Sequence, residues 1–184
     1  SSTLRQDISE CVGSGCSYVD GWSGCVMATV IRGSDNFDSA DVGKVLQVVN
    51  FRSPDSGNVT TTSTSFVDTG IAATITPTST SSKILVIANL NGVYKSSSDN
   101  SVSTKLLRGS TDIGTIESMN VYTASTIAAA AGSSISYLDS PNTSSAVTYK
   151  VQFKSINGSN VYINIRWNGE NTTHSTLTLM EIQG

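Results

Sequence analysis

The chain has 184 residues, of which 38% are hydrophobic and 14% charged, with a formal net charge of −3 and a pI near 5.0. This length suffices for one domain with a sizeable core and a short extension. The acidic balance argues against nucleic-acid binding, which needs clustered Lys and Arg. No apolar run reaches the ~18 residues of a membrane-spanning helix. Residues 1–10 lack the basic and then apolar order of a signal peptide.

Residues 1–42 differ in composition from the rest and are predicted to form an irregular attachment segment. Its three cysteines, Cys11, Cys16 and Cys25, have the spacing C-x4-C-x8-C. An odd count leaves at least one thiol without an intrachain partner, so one internal disulfide, a bond between chains and reduced thiols all stay open. The zinc motif is weak, because the fourth ligand would have to be distant His174 or a carboxylate.

Two further features of this segment favour ordinary structural roles. Residues 25–33, CVMATVIRG, are β-branched and apolar and are predicted to form one strand. Asp35, Asp38 and Asp41 recur at every third residue, as oxygen ligands for calcium would require. The ordered spacing and the glycine of an EF-hand loop are missing. A solvated loop with local Asp caps is therefore favoured over a calcium site.

From Gly43 onward, short segments rich in Val, Ile, Ser and Thr alternate with turn signals every 8–12 residues. In VTYKVQFKS, Tyr149 and Phe153 share one face while Lys150 and Lys154 share the other. The terminal LTLMEI places Leu177, Leu179 and Glu181 together in the same way. Nine or ten such strands predict an all-β fold, an antiparallel β-sandwich of jelly-roll type over residues 43–184.

Three local expectations follow from the same patterns. KILVIANLNGVY is predicted to be a central strand that is buried on both faces, because it is almost continuously apolar. TSTSFVDTG and IAATITP are predicted as two strands separated at residues 68–70. Asn157-Gly158 predicts a tight turn, after which VYINIRWN returns beside VTYKVQFKS as a hairpin.

The sequence contains no recognisable catalytic motif. The candidate acids, which are Glu117, Asp139, Glu170 and Glu181, are isolated in sequence, and His174 is predicted to be a loop residue near the end of the last strand. We therefore expect no enzyme activity, no cofactor and no metal. Aromatic rings can stack on pyranose faces, and the candidates for glycan contact are Tyr94, Tyr122, Tyr162 and Trp167.

Five phrases in order carry a family resemblance across about three quarters of the chain. They are GKVLQVVNF, TSFVDTGIAATITPTSTSSKILVIANLNG, LLRGSTDIGT, ISYLDSPNTSSAVTYKVQFKS and LTLMEIQG. Together they resemble a C-terminal domain of tail-fibre and other virion structural proteins of environmental tailed bacteriophages. Residues 1–42 match no pattern of that family. The family has no catalytic residues to transfer.

The resemblance implies a homotrimeric subunit on the virion surface that binds a host-surface glycan or protein, or caps a fibre that does. Residues 1–42 would then contact other virion proteins. A tail fibre and a head fibre both fit this expectation. The alternative is a secreted carbohydrate-binding or adhesin module of a cellular organism, and a glycan depolymerase is a third class.

Overall fold

The computed structural model describes residues 43–54, 57–165 and 173–184. This part of the chain forms ten strands and no helix, so it has no helix that could span a bilayer. The strands are β1 (Val45–Arg52), β2 (Val59–Thr61), β3 (Val67–Ile75), β4 (Lys83–Lys95), β5 (Asn100–Arg108), β6 (Thr111–Thr123), β7 (Ala129–Asp139), β8 (Val147–Ser155), β9 (Val161–Ile163) and β10 (Thr176–Ile182).

The strands form two antiparallel sheets that pack face to face. In sheet A, β1 pairs with β10, β10 with β4, and β4 with β7. The short strand β9 pairs with the last two residues of β4 and with β2. Sheet B has the order β3-β8-β5-β6. The long strands pair in a nested way: β1 with β10, β3 with β8, β4 with β7 and β5 with β6. A long hairpin rolled into two sheets gives this nesting, so the predicted jelly-roll sandwich is confirmed.

Strict alternation in the sequence builds the core between the sheets. In β8, Tyr149, Val151 and Phe153 are fully buried, while the alternating residues Lys150 and Lys154 reach the outer face. In β10, Leu177, Leu179 and Glu181 point inward, as their spacing predicts. The inward side chains of β4 complete this layer with Ile84, Val86, Ala88 and Leu90.

The predicted break at residues 68–70 is wrong, because β3 runs continuously through it. The pairing with β8 shifts between Asp68 and Ala72, and Gly70 adopts a φ of 79°. The Thr69 hydroxyl donates to the Val151 carbonyl at 2.7 Å and accepts from the Ile71 amide at 3.0 Å. The turn residues therefore form a bulge whose backbone groups are satisfied inside the strand.

The predicted hairpin after Asn157-Gly158 is also wrong. The turn exists, with Gly158 at a φ of 84°, but the following strand β9 covers only Val161–Ile163. It leaves sheet B and pairs with β2 and with the end of β4 in sheet A. A turn signal fixes a reversal of the chain, whereas the sheet that the chain joins depends on distant strands.

The expectation for β4 holds only in part. It is central in sheet A, yet its outward residues Leu85 and Ile87 are half-buried and Asn89 is exposed. The alternation also shifts once, because Leu90 and Val93 both point inward across a bulge at Asn91 and Gly92. The outer face of β4 therefore lacks the cover that its apolar sequence indicates, within the described part of the chain.

The two ends of the sandwich are distinct. Gly43 and Gly184 lie at one end, where the Gln183 amide donates to the Lys44 carbonyl at 2.8 Å. The loops at residues 62–66, 96–99, 124–128 and 156–160 meet at the other end. The Ser155 backbone amide donates to the Ser63 carbonyl there at 2.8 Å, and the side-chain amide of Asn157 donates to the Ser98 carbonyl at 2.9 Å. We call this second end the distal end.

Candidate functional site

Two of the four aromatic residues predicted for glycan contact lie side by side. Tyr94 of β4 and Tyr162 of β9 are direct cross-strand partners near the distal end. Their ring centroids are 5.6 Å apart and the ring planes are tilted by 57°. This is a favourable aromatic pair geometry. Tyr94 lies between two fully buried residues, Val93 and Lys95, so its ring belongs to the outer face of sheet A.

The tyrosine pair is part of a continuous row across the sheet. Thr60 pairs with Tyr162, Tyr162 with Tyr94, and Tyr94 with Ala130. Thr60 and Ala130 are exposed and both rings are half-buried. Residues paired directly across strands share a face, so the row presents two rings between short side chains that leave them accessible.

A cleft of about 500 Å³ lies beside this row and shares Ala130 with it. The lining residues are Asn91, Gly92, Ala130, Ala131, Gly132, Ile165, Thr173 and His174. The Asn91 amide nitrogen is tied to the His174 carbonyl at 2.7 Å, and the Arg52 Nη2 lies 3.1 Å from the His174 Nε2. Small residues and amide groups thus border the tyrosine pair on its β7 side.

Gly92 shapes this cleft because another segment of backbone crosses directly over it. The Ile165 amide donates to the Gly92 carbonyl at 3.3 Å, and Gly92 has a φ of 58°. A Cβ added there would lie 2.4 Å from the Ile165 carbonyl oxygen and 2.6 Å from the Thr173 hydroxyl. Only glycine fits a left-handed position with backbone this close.

The distal loops are held by two buried polar side chains. Lys95 is fully buried, and its ammonium donates to the carbonyls of Ser97 at 2.9 Å and Ser125 at 3.4 Å, and to the carbonyl and hydroxyl of Thr123. Asn100 accepts from the Ser155 hydroxyl at 3.0 Å. These bonds fix loops 96–99 and 124–128 before any ligand binds, which lowers the entropic cost of binding.

The other two glycan candidates do not join the pair. Tyr122 lies on β6 of sheet B and is 52% exposed, and its hydroxyl donates to Asp99 at 3.2 Å. That hydrogen bond raises the pKa of Tyr122. Trp167 falls outside the described residues, as do Cys11, Cys16 and Cys25, the strand predicted at 25–33 and the three aspartates between 35 and 41.

Two of the candidate acids are buried carboxylates that stabilise the fold by accepting hydrogen bonds. Asp139 accepts from the Arg108 guanidinium at 2.9 Å and from the Tyr149 hydroxyl at 2.7 Å, which links sheet A to sheet B. Burial and the bond to Asp139 raise the pKa of Tyr149 well above its usual range. Glu170 lies outside the described residues, and the side chain of Glu117 is not described.

Glu181 is the second of these carboxylates and is fully buried. It accepts from the Gln47 amide at 2.6 Å and from the amide and hydroxyl of Thr78, both at 2.7 Å. Burial alone would raise its pKa, but the hydrogen bonds from Gln47 and Thr78 outweigh it and lower the pKa to about 2. Ile84 pairs with both Glu181 and Asp139 and lies between them, so the two carboxylates do not face a common groove.

The described residues contain no group of three or more His, Cys, Asp or Glu side chains that would hold a metal ion. His174 lies two residues before β10, as a loop residue next to Arg52. Sequence reasoning named both tyrosines but missed their pairing. It also missed Lys95 and Asn100, whose bonding partners lie at distant sequence positions.

Comparison with known proteins gives only distant structural likeness. No protein-family model and no curated protein matches the chain. Among solved structures, the chain is similar to VP2 in the subviral particle of infectious bursal disease virus, with 9% identity, 85% of this chain and 43% of that chain covered, and a TM-score of 0.42. The T13 viral particle of the same virus gives 11% identity, 85% and 41% coverage, and a TM-score of 0.38. The chain spans less than half the length of these proteins.

Proposed function

We propose that this protein is a non-enzymatic subunit of a virion appendage, a tail or head fibre, that binds a glycan on the host surface. The five sequence phrases that resemble the virion domain support this proposal. The jelly roll supports it as well, since this fold recurs in viral capsid and lectin domains. In this proposal the subunit is a homotrimer on the virion surface, and residues 1–42 contact other virion proteins.

The observation that carries the proposal is that the tyrosine pair and Gly43 lie at opposite ends of the sandwich. Gly43, which follows residues 1–42 in the sequence, lies beside Gly184. The tyrosine pair lies near the opposite end, where Lys95 and Asn100 hold the polar loops. A domain that is attached at one end and presents a rigid polar surface at the other suits recognition at the tip of an appendage.

A neutral or weakly polar pyranose is the ligand that suits the tyrosine row. Its apolar ring face would stack on Tyr94 or Tyr162, which are accessible from the outer face of sheet A. The neighbouring Thr60 hydroxyl and the amide of Asn91 would bond sugar hydroxyl groups. One site of this kind binds weakly, and three sites in a trimer would gain strength through avidity.

A glycan array tests this proposal with purified full-length protein and two variants. We expect Tyr94→Ala to weaken binding to the preferred glycan about tenfold, which matches a lost aromatic contact of ~1.4 kcal/mol. Tyr137→Ala is the matched control, because Tyr137 is 43% exposed on β7 but lies outside the row. Equal loss in both variants, or no glycan bound by the wild type, would contradict the proposed site.

The competing functions separate in two further measurements. A depolymerase would release oligosaccharides from host polysaccharide, whereas we expect intact polysaccharide after prolonged incubation. A secreted module of a cellular organism would be encoded beside hydrolase or secretion genes, whereas we expect genes for virion structural proteins.

A further inference from the structure

The outer face of sheet A carries a continuous apolar row. Val48, Met180, Leu85 and Leu138 are successive cross-strand partners on β1, β10, β4 and β7. Val48 is 55% exposed and Leu138 is 50% exposed, while the two central side chains are half-buried. Cross-strand partners share a face, so this row forms one apolar stripe across the full width of the four strands.

The rows on either side extend the stripe into a face, which we call the apolar face. Toward Gly43 the next row brings Val45 and Leu46, which are 50% and 40% exposed, beside Ile182 and Lys83. Toward the distal end the next row is uncharged and consists of Asn50, Thr178, Ile87 and Ser136. Lys83 is the one charged side chain in the described part of these three rows.

The outer face of sheet B has the opposite character. Lys150 pairs with Asp68 at 3.0 Å, and Lys105 pairs with Asp112 at 3.3 Å. Lys105 also lies 4.3 Å from the centroid of the Phe66 ring. Sheet B thus presents the solvated surface expected of a two-layer sandwich, whereas the matching face of sheet A exposes large apolar side chains.

The dimensions of the apolar face fit a protein contact. Four strands about 4.8 Å apart and three rows about 6.8 Å apart give a projected area of roughly 390 Å². Three such faces turned toward a three-fold axis bury up to about 1,200 Å² in projection, and more in accessible area because the side chains stand out of the sheet. This is close to the ~1000 Å² that a specific interface requires.

We propose that the apolar face is buried against further copies of this chain. Its near absence of charge lets three identical faces pack around a common axis without like-charge repulsion, so further copies of the chain are suitable occupants. Contact through this face leaves the charged outer face of sheet B in solvent. This inference rests on the trimeric assembly of the proposed function and names the surface that forms it.

Light scattering on the full chain tests the apolar face directly. We expect the wild type at micromolar concentration to have three times the single-chain mass of 19.2 kDa. The double variant Val48→Lys, Leu138→Lys should raise the dissociation constant at least about 100-fold, because it places repelling charges in the contact. Lysine is tolerated on edge strands such as β1 and β7, so the fold should survive.

Ile127→Lys is the matched control. Ile127 is 59% exposed and apolar, but it lies in the distal loop 124–128, away from the apolar face. We expect this variant to keep the wild-type mass. A wild-type mass of 19.2 kDa, or a double variant that keeps the wild-type mass, would overturn the proposal.

A second measurement needs no substitution. Met180 lies in the middle of the apolar row, so hydrogen peroxide should oxidise it more slowly in the assembled protein than after dilution to the monomer. Equal rates at both concentrations would remove the apolar face from the interface. Glycan binding by the monomeric variant is scored separately, so a failed interface and a failed function give different results.

Discussion

Glu181→Gln tests whether a charged carboxylate fastens the end of the sandwich where Gly184 lies. Glu181 accepts from Gln47 through one oxygen and from both donors of Thr78 through the other. A glutamine of the same shape replaces one of these oxygens by an amide nitrogen. Either Gln47 or Thr78 then faces a second donor, so at least one hydrogen bond is lost.

The magnitude follows from the lowered pKa. A shift from 4.5 to about 2 corresponds to about 3 kcal/mol at 1.36 kcal/mol per unit. This is an upper bound, because the hydrogen bonds from Gln47 and Thr78 are only partly buried and water screens part of the interaction. We expect Glu181→Gln to lower the free energy of unfolding by about 1–3 kcal/mol at pH 7.

The pH dependence has a definite sign. A carboxyl group whose pKa is lower in the folded state stabilises the fold above its unfolded pKa near 4.5. That stabilisation is lost as the pH falls from there through about 2. The difference in unfolding free energy between wild type and variant should therefore shrink over this interval, and other acids cancel because both proteins contain them.

Urea unfolding followed by circular dichroism at pH 7, 4 and 2.5 measures this difference. Asp68→Asn is the control, because Asp68 also has a lowered pKa but its side chain is 56% exposed. An exposed pair should change the free energy by less than about 1 kcal/mol. A Glu181→Gln effect of the same size at pH 7 and pH 2.5 would refute the argument that the charge is what matters.

Two further substitutions test the interior by urea unfolding. Gly92→Ala should lower the free energy of unfolding by more than about 2 kcal/mol, because its Cβ would meet the Ile165 backbone. Gly109→Ala is the control and should lower it by about 1 kcal/mol, since Gly109 has a similar φ of 57° with open space around it. Equal costs would contradict the close approach at Gly92. Tyr149→Phe should cost about 1.5–3 kcal/mol, because it leaves the buried Asp139 carboxylate without one donor. An unchanged midpoint would show that the Arg108 pair alone satisfies Asp139.

Local alternation was enough to predict most of the strands and the inward faces of β8 and β10. In β8 and β10, every second residue is buried as the sequence indicates, including Glu181 beside Leu177 and Leu179. Period-two patterning reports which side of a strand faces the core, whatever the strand's partners are. The jelly-roll class follows from the number and spacing of such strands.

Contacts between distant residues could not be predicted in the same way. Lys95 is buried because carbonyl groups of Thr123 and Ser125, about thirty residues later, surround its ammonium. Tyr94 and Tyr162 meet because β9 joins sheet A, whereas the turn at Asn157-Gly158 predicted a hairpin with β8. Each of these depends on sheet topology, which a single sequence constrains only through its turns.

The central claim is that this protein is part of a virion surface. Immunogold electron microscopy with an antibody against the purified protein tests it most directly, on virus particles isolated from a culture that produces the protein. We expect gold at a fixed position on the particles, at the tip of a tail or head appendage. Unlabelled particles, with the protein found only free in the culture fluid, would contradict the account.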